Sequence, residues 1–301
     1  MKIPHAVTNP PMYAVIGTAA VAFLIAIILA LLSMQGESTP APVSTPELFP
    51  APLTLSTSKI TARAAIVYDP RNGRVLFAKN EEEPLPLASL TKLMTAQTVL
   101  TLKNEDESVT IGIRDLSPEG DWGLIPGTTW RLGDLLAFGL VASANDAMAA
   151  AAAASSGRFI DEMNRAAGDL GLTQTYFLNP TGLDVDPETA GAYGSAYDVA
   201  RLAAAFLKEY PALFETTSRP SIEINSEYSS LHASSTDTPL LDIPGLIAAK
   251  TGYTELAGGN LVAVFDVEIG HPLVVAVLGS TREQRFEDIR TLISATRKNN
   301  L

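Results

Sequence analysis

The stretch LASLTKLMTA, residues 87–96, contains Lys92 as the one charged residue between Glu83 and Lys103. The stretch otherwise has the composition of a buried helix, and a lysine is almost never fully buried unless it has a partner. Ser89 lies three residues earlier, which puts both side chains on one face of a helix. We therefore ask whether Ser89 and Lys92 form a catalytic pair, or a helix cap beside a lysine that extends to solvent.

Composition excludes several classes of function. The chain has 301 residues, enough for one large or two modest domains, and its 21 basic and 33 acidic residues give a net charge of −12. Without a basic run, the sequence predicts no nucleic-acid partner. It has no cysteine, which excludes a disulfide framework, a thiolate nucleophile and a cysteine-based zinc site.

The N-terminal segment has the pattern of a membrane anchor. Residues 14–32 are uncharged and almost wholly apolar, which is long enough for a helix to cross a bilayer. Lys2 precedes them, so the positive-inside tendency puts the N-terminus in the cytoplasm. The alternative is a cleaved signal peptide, but this apolar run is longer than usual and SMQGESTPAP offers no good cleavage site.

The sequence thus predicts four regions. They are a cytoplasmic N-terminus over residues 1–13, a transmembrane helix over 14–35, a linker rich in Pro, Ser and Thr over 36–58, and a catalytic domain over 59–301. The predicted location is the cell membrane, crossed once, with the domain on the extracytoplasmic side.

Within the domain, strand patterns stand at both ends and helical patterns lie between them. Two short apolar runs flank Asn72-Gly73, a strong hairpin signal. Apolar residues at three- and four-residue spacing then predominate over residues 85–214, and strands return after Ile243, followed by a last amphipathic helix. We predict an α/β (α+β) fold with one antiparallel sheet, built from the N- and C-terminal strands, and an inserted helical region.

Histidine chemistry has little support in this domain. His232 lies in a serine-rich loop, and His271 is expected to be a solvated residue of a hairpin turn beside a proline. Neither position suggests a Ser-His-Asp triad, and the H-E-x-x-H pattern of zinc hydrolases is absent. A serine activated by a desolvated lysine remains possible, because burial lowers the pKa of an amine.

The S-x-x-K pattern is weak evidence alone, since Ser56–Lys59 repeats it in the linker. Two further motifs strengthen it. Ser143-Ala144-Asn145 stands near the start of an apolar helix, and Lys250-Thr251-Gly252 is the one K-T-G of the chain, at the end of a strand. The three motifs, in this order, are the signature of penicillin-binding proteins and class A β-lactamases.

With these motifs, residues 62–292 resemble the low-molecular-mass penicillin-binding proteins, the serine-type D-Ala-D-Ala carboxypeptidases of peptidase family S11. The blocks PLASLTKLMTA, LVASANDAMAA, FLNPTGLD and KTGYTELAGGNLV carry the resemblance. It implies the β-lactamase/DD-peptidase fold, hydrolysis of the terminal D-Ala from peptidoglycan stem pentapeptides, and covalent inhibition by β-lactam antibiotics. It implies no cofactor.

The resemblance also implies catalytic roles. Ser89 would be the nucleophile, Lys92 its base, and Ser143 the donor of a proton to the leaving amine. Asn145 would orient Lys92 or hold the substrate amide.

The remaining residues are predicted to bind substrate. Lys250 and Thr251 of the Lys250-Thr251-Gly252 motif would receive the terminal carboxylate. The backbone N–H of Tyr253 would share the oxyanion with that of Ser89. Arg285 would assist at the carboxylate, or would simply be a surface arginine of the last helix.

Three alternatives remain open. A β-lactamase would share the motifs, but class A enzymes deacylate with the glutamate of an E-x-x-L-N loop, and Thr175 stands there, before Leu178-Asn179. A D,D-endopeptidase that cuts crosslinked stems would use the same residues. A non-catalytic peptidoglycan-binding module would keep the fold, but Ser89, Lys92 and Lys250 are all present.

Overall fold

The computed structural model describes residues 25–28, 55–120 and 122–299. Residues 25–28 are helical, and the rest of the predicted transmembrane segment and most of the predicted linker lie outside the described residues. Within the described ranges, no helix combines the length and apolar character that a bilayer-spanning helix requires. The chain divides into two units, Met1–Phe49 and Pro50–Leu301, and the second contains the fold described below. The domain boundary predicted at residue 59 stays a prediction.

The secondary structure of the second unit follows the predicted strand–helix–strand order. The strands are β1 (Ala64–Asp69), β2 (Arg74–Lys79), β3 (Leu85–Pro86), β4 (Ser108–Thr110), β5 (Thr129–Arg131), β6 (Tyr176–Phe177), β7 (Ala192–Gly194), β8 (Ser221–Asn225), β9 (Ser230–Ser234), β10 (Leu246–Thr254), β11 (Gly258–Glu268) and β12 (His271–Ser280). The helices are α1 (Thr91–Leu102), α2 (Leu132–Val141), α3 (Asn145–Ser155), α4 (Phe159–Asp169), α5 (Ala196–Glu209), α6 (Pro211–Glu215) and α7 (Gln284–Asn299).

One five-stranded antiparallel sheet joins the two ends of the domain, in the order β10-β11-β12-β1-β2. The first hairpin turns at Asn72-Gly73, where Gly73 has φ +72°. β10, which carries the K-T-G motif, is the last strand at one end of this order, and it pairs with β11. The predicted sheet of N- and C-terminal strands with inserted helices is confirmed, but the inserted region is not wholly helical, because β3 to β9 form three further small sheets there.

Both faces of the sheet are covered, which explains why every residue of β1 is buried. Successive side chains of a strand point to opposite faces. Ile66 accordingly joins the core beneath the helical region, with Met94 and Phe138, while Val67 joins a second core under α7, with Leu292. The predicted last amphipathic helix is therefore the outer layer of one face.

The environment of His271 differs from the prediction. His271 is the first residue of β12, is 8% exposed, and its Nε2 lies 3.1 Å from Oδ2 of the buried Asp69. The same carboxylate accepts hydrogen bonds from the backbone N–H of Arg71 and from Asn72 Nδ2, both at 3.0 Å. The expectation of a solvated histidine was wrong, because the β1–β2 turn packs beside the β11–β12 hairpin, a contact between residues about 200 positions apart.

Candidate active site

Ser89 lies in a 3-10 turn, Ala88–Leu90, that leads directly into α1. The turn is held on one side by a backbone hydrogen bond from Leu87 N to Ala192 O, of 3.0 Å. Ala88 has φ +48°, a left-handed conformation that costs a non-glycine residue roughly 1–2 kcal/mol. Such strain is typical of residues beside functional groups, and here it sets the direction in which the next residue projects.

Lys92, one turn along α1, is fully buried and its amine is completely engaged. Its Nζ lies 2.8 Å from Ser89 Oγ, 2.6 Å from Asn145 Oδ1 and 2.8 Å from the carbonyl oxygen of Thr181. Burial lowers the pKa of Lys92 well below its ordinary value, and the nearby charge of Lys250 lowers it further. The lysine is therefore not directed to solvent. A buried amine with a depressed pKa, within hydrogen-bond distance of a serine hydroxyl, can accept the proton of that hydroxyl.

Asn145, the first residue of α3, connects this pair to the wall of the cleft. Its Oδ1 accepts from Lys92, and its Nδ2 donates to the carbonyl oxygen of Glu119. The adjacent Asp146 is buried and accepts a 2.9 Å hydrogen bond from the backbone N–H of Trp122. Glu119 and Trp122 are thus each hydrogen-bonded to the start of α3.

Ser143 and Lys250 form the second serine–lysine contact of the site. Ser143 lies between α2 and α3 with φ +58°, and its Oγ accepts a 3.0 Å hydrogen bond from Lys250 Nζ. Lys250 is fully buried and also donates to the carbonyl oxygen of Thr251, at 2.9 Å. Burial and the nearby guanidinium of Arg285 lower the pKa of Lys250 to about 8, although Asp237 opposes this shift.

The strand that bears Lys250 passes very close to the Ser89 turn. A Cβ added to Gly252 would lie 3.0 Å from the carbonyl oxygen of Leu87 and 3.1 Å from the backbone nitrogen of Ser89. Gly252 therefore permits an approach that a larger residue would obstruct. Tyr253 follows, with its ring 4.0 Å from the guanidinium carbon of Arg282. Beyond it a cavity of about 540 Å³ opens between Leu183 and Thr254.

Arg285 is neither a surface arginine nor, in its observed contacts, a carboxylate receptor. It is 8% exposed, and its Nη1 donates to the carbonyl oxygens of Gly252, at 2.6 Å, and Asn260, at 3.4 Å. These contacts hold the K-T-G strand in position from α7. Direct contact between Arg285 and a substrate carboxylate stays a prediction.

Comparison with known proteins agrees with this geometry. The family model described as D-alanyl-D-alanine carboxypeptidase matches residues 51–282. The chain belongs to this family. A curated member, the D-alanyl-D-alanine carboxypeptidase DacF of Bacillus subtilis, is 31% identical over 244 residues, which are 77% of this chain and 61% of that relative. The chain thus spans less than two thirds of this relative's length.

Two further similar proteins are an endopeptidase and a solved penicillin-binding protein. A D-alanyl-D-alanine endopeptidase of Pseudomonas aeruginosa is 30% identical over 213 residues, 68% of this chain and 67% of that protein. A solved structure of penicillin-binding protein D2 from Listeria monocytogenes, in a cefotaxime-bound form, is 32% identical with a TM-score of 0.69, and covers 79% of this chain and 97% of that one. A mixed α/β fold of the DD-peptidase type is therefore shown for this chain.

The position that would distinguish a class A β-lactamase carries no carboxylate. Thr175 Oγ1 donates a 2.9 Å hydrogen bond to Oδ2 of Asp198, which is 2% exposed. The hydroxyl is thus used to join the β6 region to the start of α5. This D-alanyl-D-alanine carboxypeptidase family member has no glutamate at that point to activate a water.

Sequence reasoning did not identify two groups of the site. The carbonyl oxygen of Thr181 holds Lys92, and it lies in the NPTGLD turn, where Gly182 has φ +79°. Asp237 is completely buried beside Lys250 and Arg285. Asp237 lies in none of the motifs. Thr181 lies in the FLNPTGLD block, but residue type does not show that its backbone carbonyl contacts Lys92, 89 positions away.

Proposed function

We propose that the chain is a serine-type D-Ala-D-Ala carboxypeptidase that removes the terminal D-Ala from peptidoglycan stem pentapeptides through a Ser89 acyl-enzyme. The observation that carries the proposal is the 2.8 Å contact between Ser89 Oγ and the Nζ of a fully buried Lys92. A lysine is costly to bury, and its depressed pKa makes it suitable as a general base without an imidazole.

In acylation, Ser89 Oγ attacks the carbonyl carbon of the penultimate D-Ala while its proton passes to neutral Lys92. The carbonyl oxygen becomes an oxyanion, which the backbone N–H groups of Ser89 and Tyr253 stabilise. Loss of one such donor costs about 3–4 kcal/mol of barrier. The C–N bond then breaks as the proton held by Lys92 is relayed through the Ser143 hydroxyl to the leaving amine, which leaves Lys92 neutral and Ser143 protonated again. Water attacks the resulting ester in the second step, which releases the shortened peptide and restores the Ser89 hydroxyl.

Substrate orientation follows from Lys250 and Thr251. The Lys250 ammonium and the Thr251 hydroxyl receive the terminal carboxylate, which places the scissile carbonyl beside Ser89. The peptide adds to β10 as an extended strand, because backbone hydrogen bonds along an unpaired strand edge give affinity without strong side-chain demands. The cavity beyond Tyr253 then has room for the upstream stem residues.

β-Lactams would acylate Ser89 in the same way. With Thr175 bonded to Asp198 and no carboxylate at that point, the acyl-enzyme is expected to persist. This favours an enzyme that β-lactams inhibit over a β-lactamase.

A D,D-endopeptidase is the second candidate, because a relative 30% identical to this chain carries that name. It would break the same kind of bond, but the leaving amine would belong to a crosslinked stem. The two activities are separated by comparing release of free D-Ala from pentapeptide with cleavage of crosslinked dimers.

We infer that the catalytic domain works outside the cytoplasmic membrane, tethered by the apolar run at residues 14–32. Lys2 before this run and the proline-rich residues 36–58 after it support a single-pass anchor and a stalk. Protease added to intact cells tests this orientation: it should digest the catalytic domain and leave the cytoplasmic N-terminus intact.

The catalytic proposal is tested by mass spectrometry of the full chain in detergent after incubation with penicillin, beside Ser89→Ala. A lasting adduct on the wild type that is absent from the variant supports it. Rapid penicillin turnover without an adduct would identify a β-lactamase. If the folded protein does not react with penicillin, the remaining interpretation is a non-catalytic peptidoglycan-binding module.

A further inference from the structure

Asp237 is a buried acid that the mechanism above does not use. It is 0% exposed and lies in the segment between β9 and β10. Its backbone N–H donates to Ser235 Oγ at 3.0 Å, and its carbonyl oxygen accepts from Leu240 N at 2.9 Å. These bonds fix the backbone of Asp237, so the side chain has a defined position.

The segment that carries Asp237 is attached to two parts of the active site. Thr236 accepts a 2.7 Å hydrogen bond from the Thr251 hydroxyl, and its backbone N–H donates to the carbonyl oxygen of Val141 at 3.2 Å. Val141 ends α2, two residues before Ser143. The segment therefore joins the K-T-G strand to the turn that presents Ser143.

The Asp237 carboxyl lies close to two cations, Lys250 and Arg285, which lower its pKa, while burial outweighs them and raises its pKa overall. Thr251 also lies beside it, yet neither carboxylate oxygen makes a hydrogen bond of normal geometry to any described residue. Arg285 Nε is likewise buried without a hydrogen-bond partner among those residues. A buried carboxylate in this position interacts with Lys250 and Arg285 chiefly through charge.

The charge balance of Lys250 explains what such a carboxylate could do. Lys250 is fully buried, which favours its neutral form, and the cation Arg285 favours that form too. Lys92, from α1, is a second amine close to Lys250. Among the described residues, Asp237 is the group that raises the pKa of Lys250, against the effects of burial and of Arg285.

We propose that Asp237 is a positioning residue that keeps Lys250 in its ammonium form, so that the cleft binds peptides ending in a free carboxylate. This inference rests on the proposed carboxypeptidase function. A neutral Lys250 would lose its attraction for that carboxylate. Its hydrogen bond to Ser143 would also lose the charge that strengthens it.

The test is the pH profile of kcat/KM for a pentapeptide, measured on the full chain and on Asp237→Asn, which keeps the shape but removes the charge. The alkaline limb is expected to move about one pH unit or more toward lower pH, because Lys250 then loses its proton earlier. KM should rise more than kcat falls, and the difference from wild type should disappear at low pH, where Lys250 is protonated in both.

Two further variants separate this role from a structural one. Asp242→Asn removes an exposed carboxylate of the same segment, paired with Arg290, and should leave the alkaline limb unchanged. In a Lys250→Arg background, Asp237→Asn should no longer move the limb, since arginine does not titrate in this range. The proposal would be overturned if the alkaline limb of kcat/KM is unshifted in folded Asp237→Asn. It would also be overturned if this variant loses the same fraction of kcat/KM at every pH.

Direct titration keeps the test independent of activity and of the variant's folding. In wild-type protein with ¹³C-labelled lysine and aspartate, the Asp237 carboxyl carbon should report an ionised group at the pH where the Lys250 ε-carbon titrates. A protonated Asp237 throughout that range would overturn the proposal even if the enzyme is active. Absence of carboxypeptidase activity with an ionised Asp237 would instead overturn the proposed function.

Discussion

Lys92 and Lys250 are two fully buried amines of one cleft, and the charge on Lys250 lowers the pKa of Lys92. Each contacts a different serine: Lys92 Nζ lies 2.8 Å from Ser89 Oγ, and Lys250 Nζ lies 3.0 Å from Ser143 Oγ. Groups of one kind whose environments separate their pKa values can serve as base and as cation at the same pH. The amine that contacts Ser89 is thereby assigned to proton abstraction, and the other to carboxylate binding.

The first prediction concerns the alkaline limb of the pH profile. The pKa of Lys250 is lowered to about 8, and in the proposed function its ammonium form binds the substrate carboxylate. Activity should therefore be present below this pH and fall as pH rises through about 8, which kcat/KM for a pentapeptide measures in the free enzyme. Lys250→Arg should weaken activity but remove this limb, and a limb unchanged by that substitution would contradict the assignment.

The second prediction concerns Asn145. Asn145→Ala removes the 2.6 Å acceptor of Lys92 and the bond that holds the Glu119 carbonyl. A hydrogen bond to a charged or ionisable group contributes about 2 kcal/mol, so penicillin acylation of Ser89 should slow roughly 30-fold. Stopped-flow measurement of acylation gives this rate, with the exposed Asn104→Ala as a control that should keep the wild-type rate. Equal rates in both variants would show that Asn145 has no part in orienting Lys92.

The sequence allowed the sheet and the three motifs to be predicted because both depend on local patterns. Two short apolar runs and Asn72-Gly73 define the first hairpin, and the three motifs mark Ser89, Ser143 and Lys250 by residue type alone. The left-handed Ala88 and Ser143 could not be foreseen, since neither is a glycine.

Other features depend on contacts between distant segments. Asp237 and His271 carry no local signal, and residue type does not mark the backbone carbonyl of Thr181. Each takes its role from a segment at least 13 positions away, as with Asp237 and Lys250. The position of His271 in a turn beside a proline suggested a solvated residue. Burial reverses that interpretation, because a buried polar group must find a partner or a compensating charge.

The third prediction concerns β-lactam turnover. Thr175→Glu supplies the residue type that class A enzymes use, but it places a second carboxylate against buried Asp198. Like charges repel strongly there, so the variant should melt at a lower temperature without gaining turnover. The lifetime of the penicillin adduct measures turnover, and Thr175→Val, which removes the hydrogen bond without adding charge, controls for its loss. A shortened adduct lifetime in folded Thr175→Glu would contradict the prediction.

The last prediction compares two glycines of nearly equal backbone conformation. Gly182 and Gly73 have φ +79° and +72°. At either position, alanine would have to adopt a left-handed backbone conformation, which costs roughly 1–2 kcal/mol of free energy. A Cβ at Gly73 meets nothing within 4 Å, whereas one at Gly182 would lie 1.9 Å from the carbonyl oxygen of Ala88, the residue before Ser89. Gly182→Ala must therefore displace the nucleophile turn, and should lose about 3 kcal/mol or more of unfolding free energy together with most acylation. Gly73→Ala should lose about 1 kcal/mol and acylate normally. Denaturant unfolding and penicillin labelling of both variants measure the difference, and equal losses would mean that Gly182 is needed for its conformation alone and not for the close approach to Ala88.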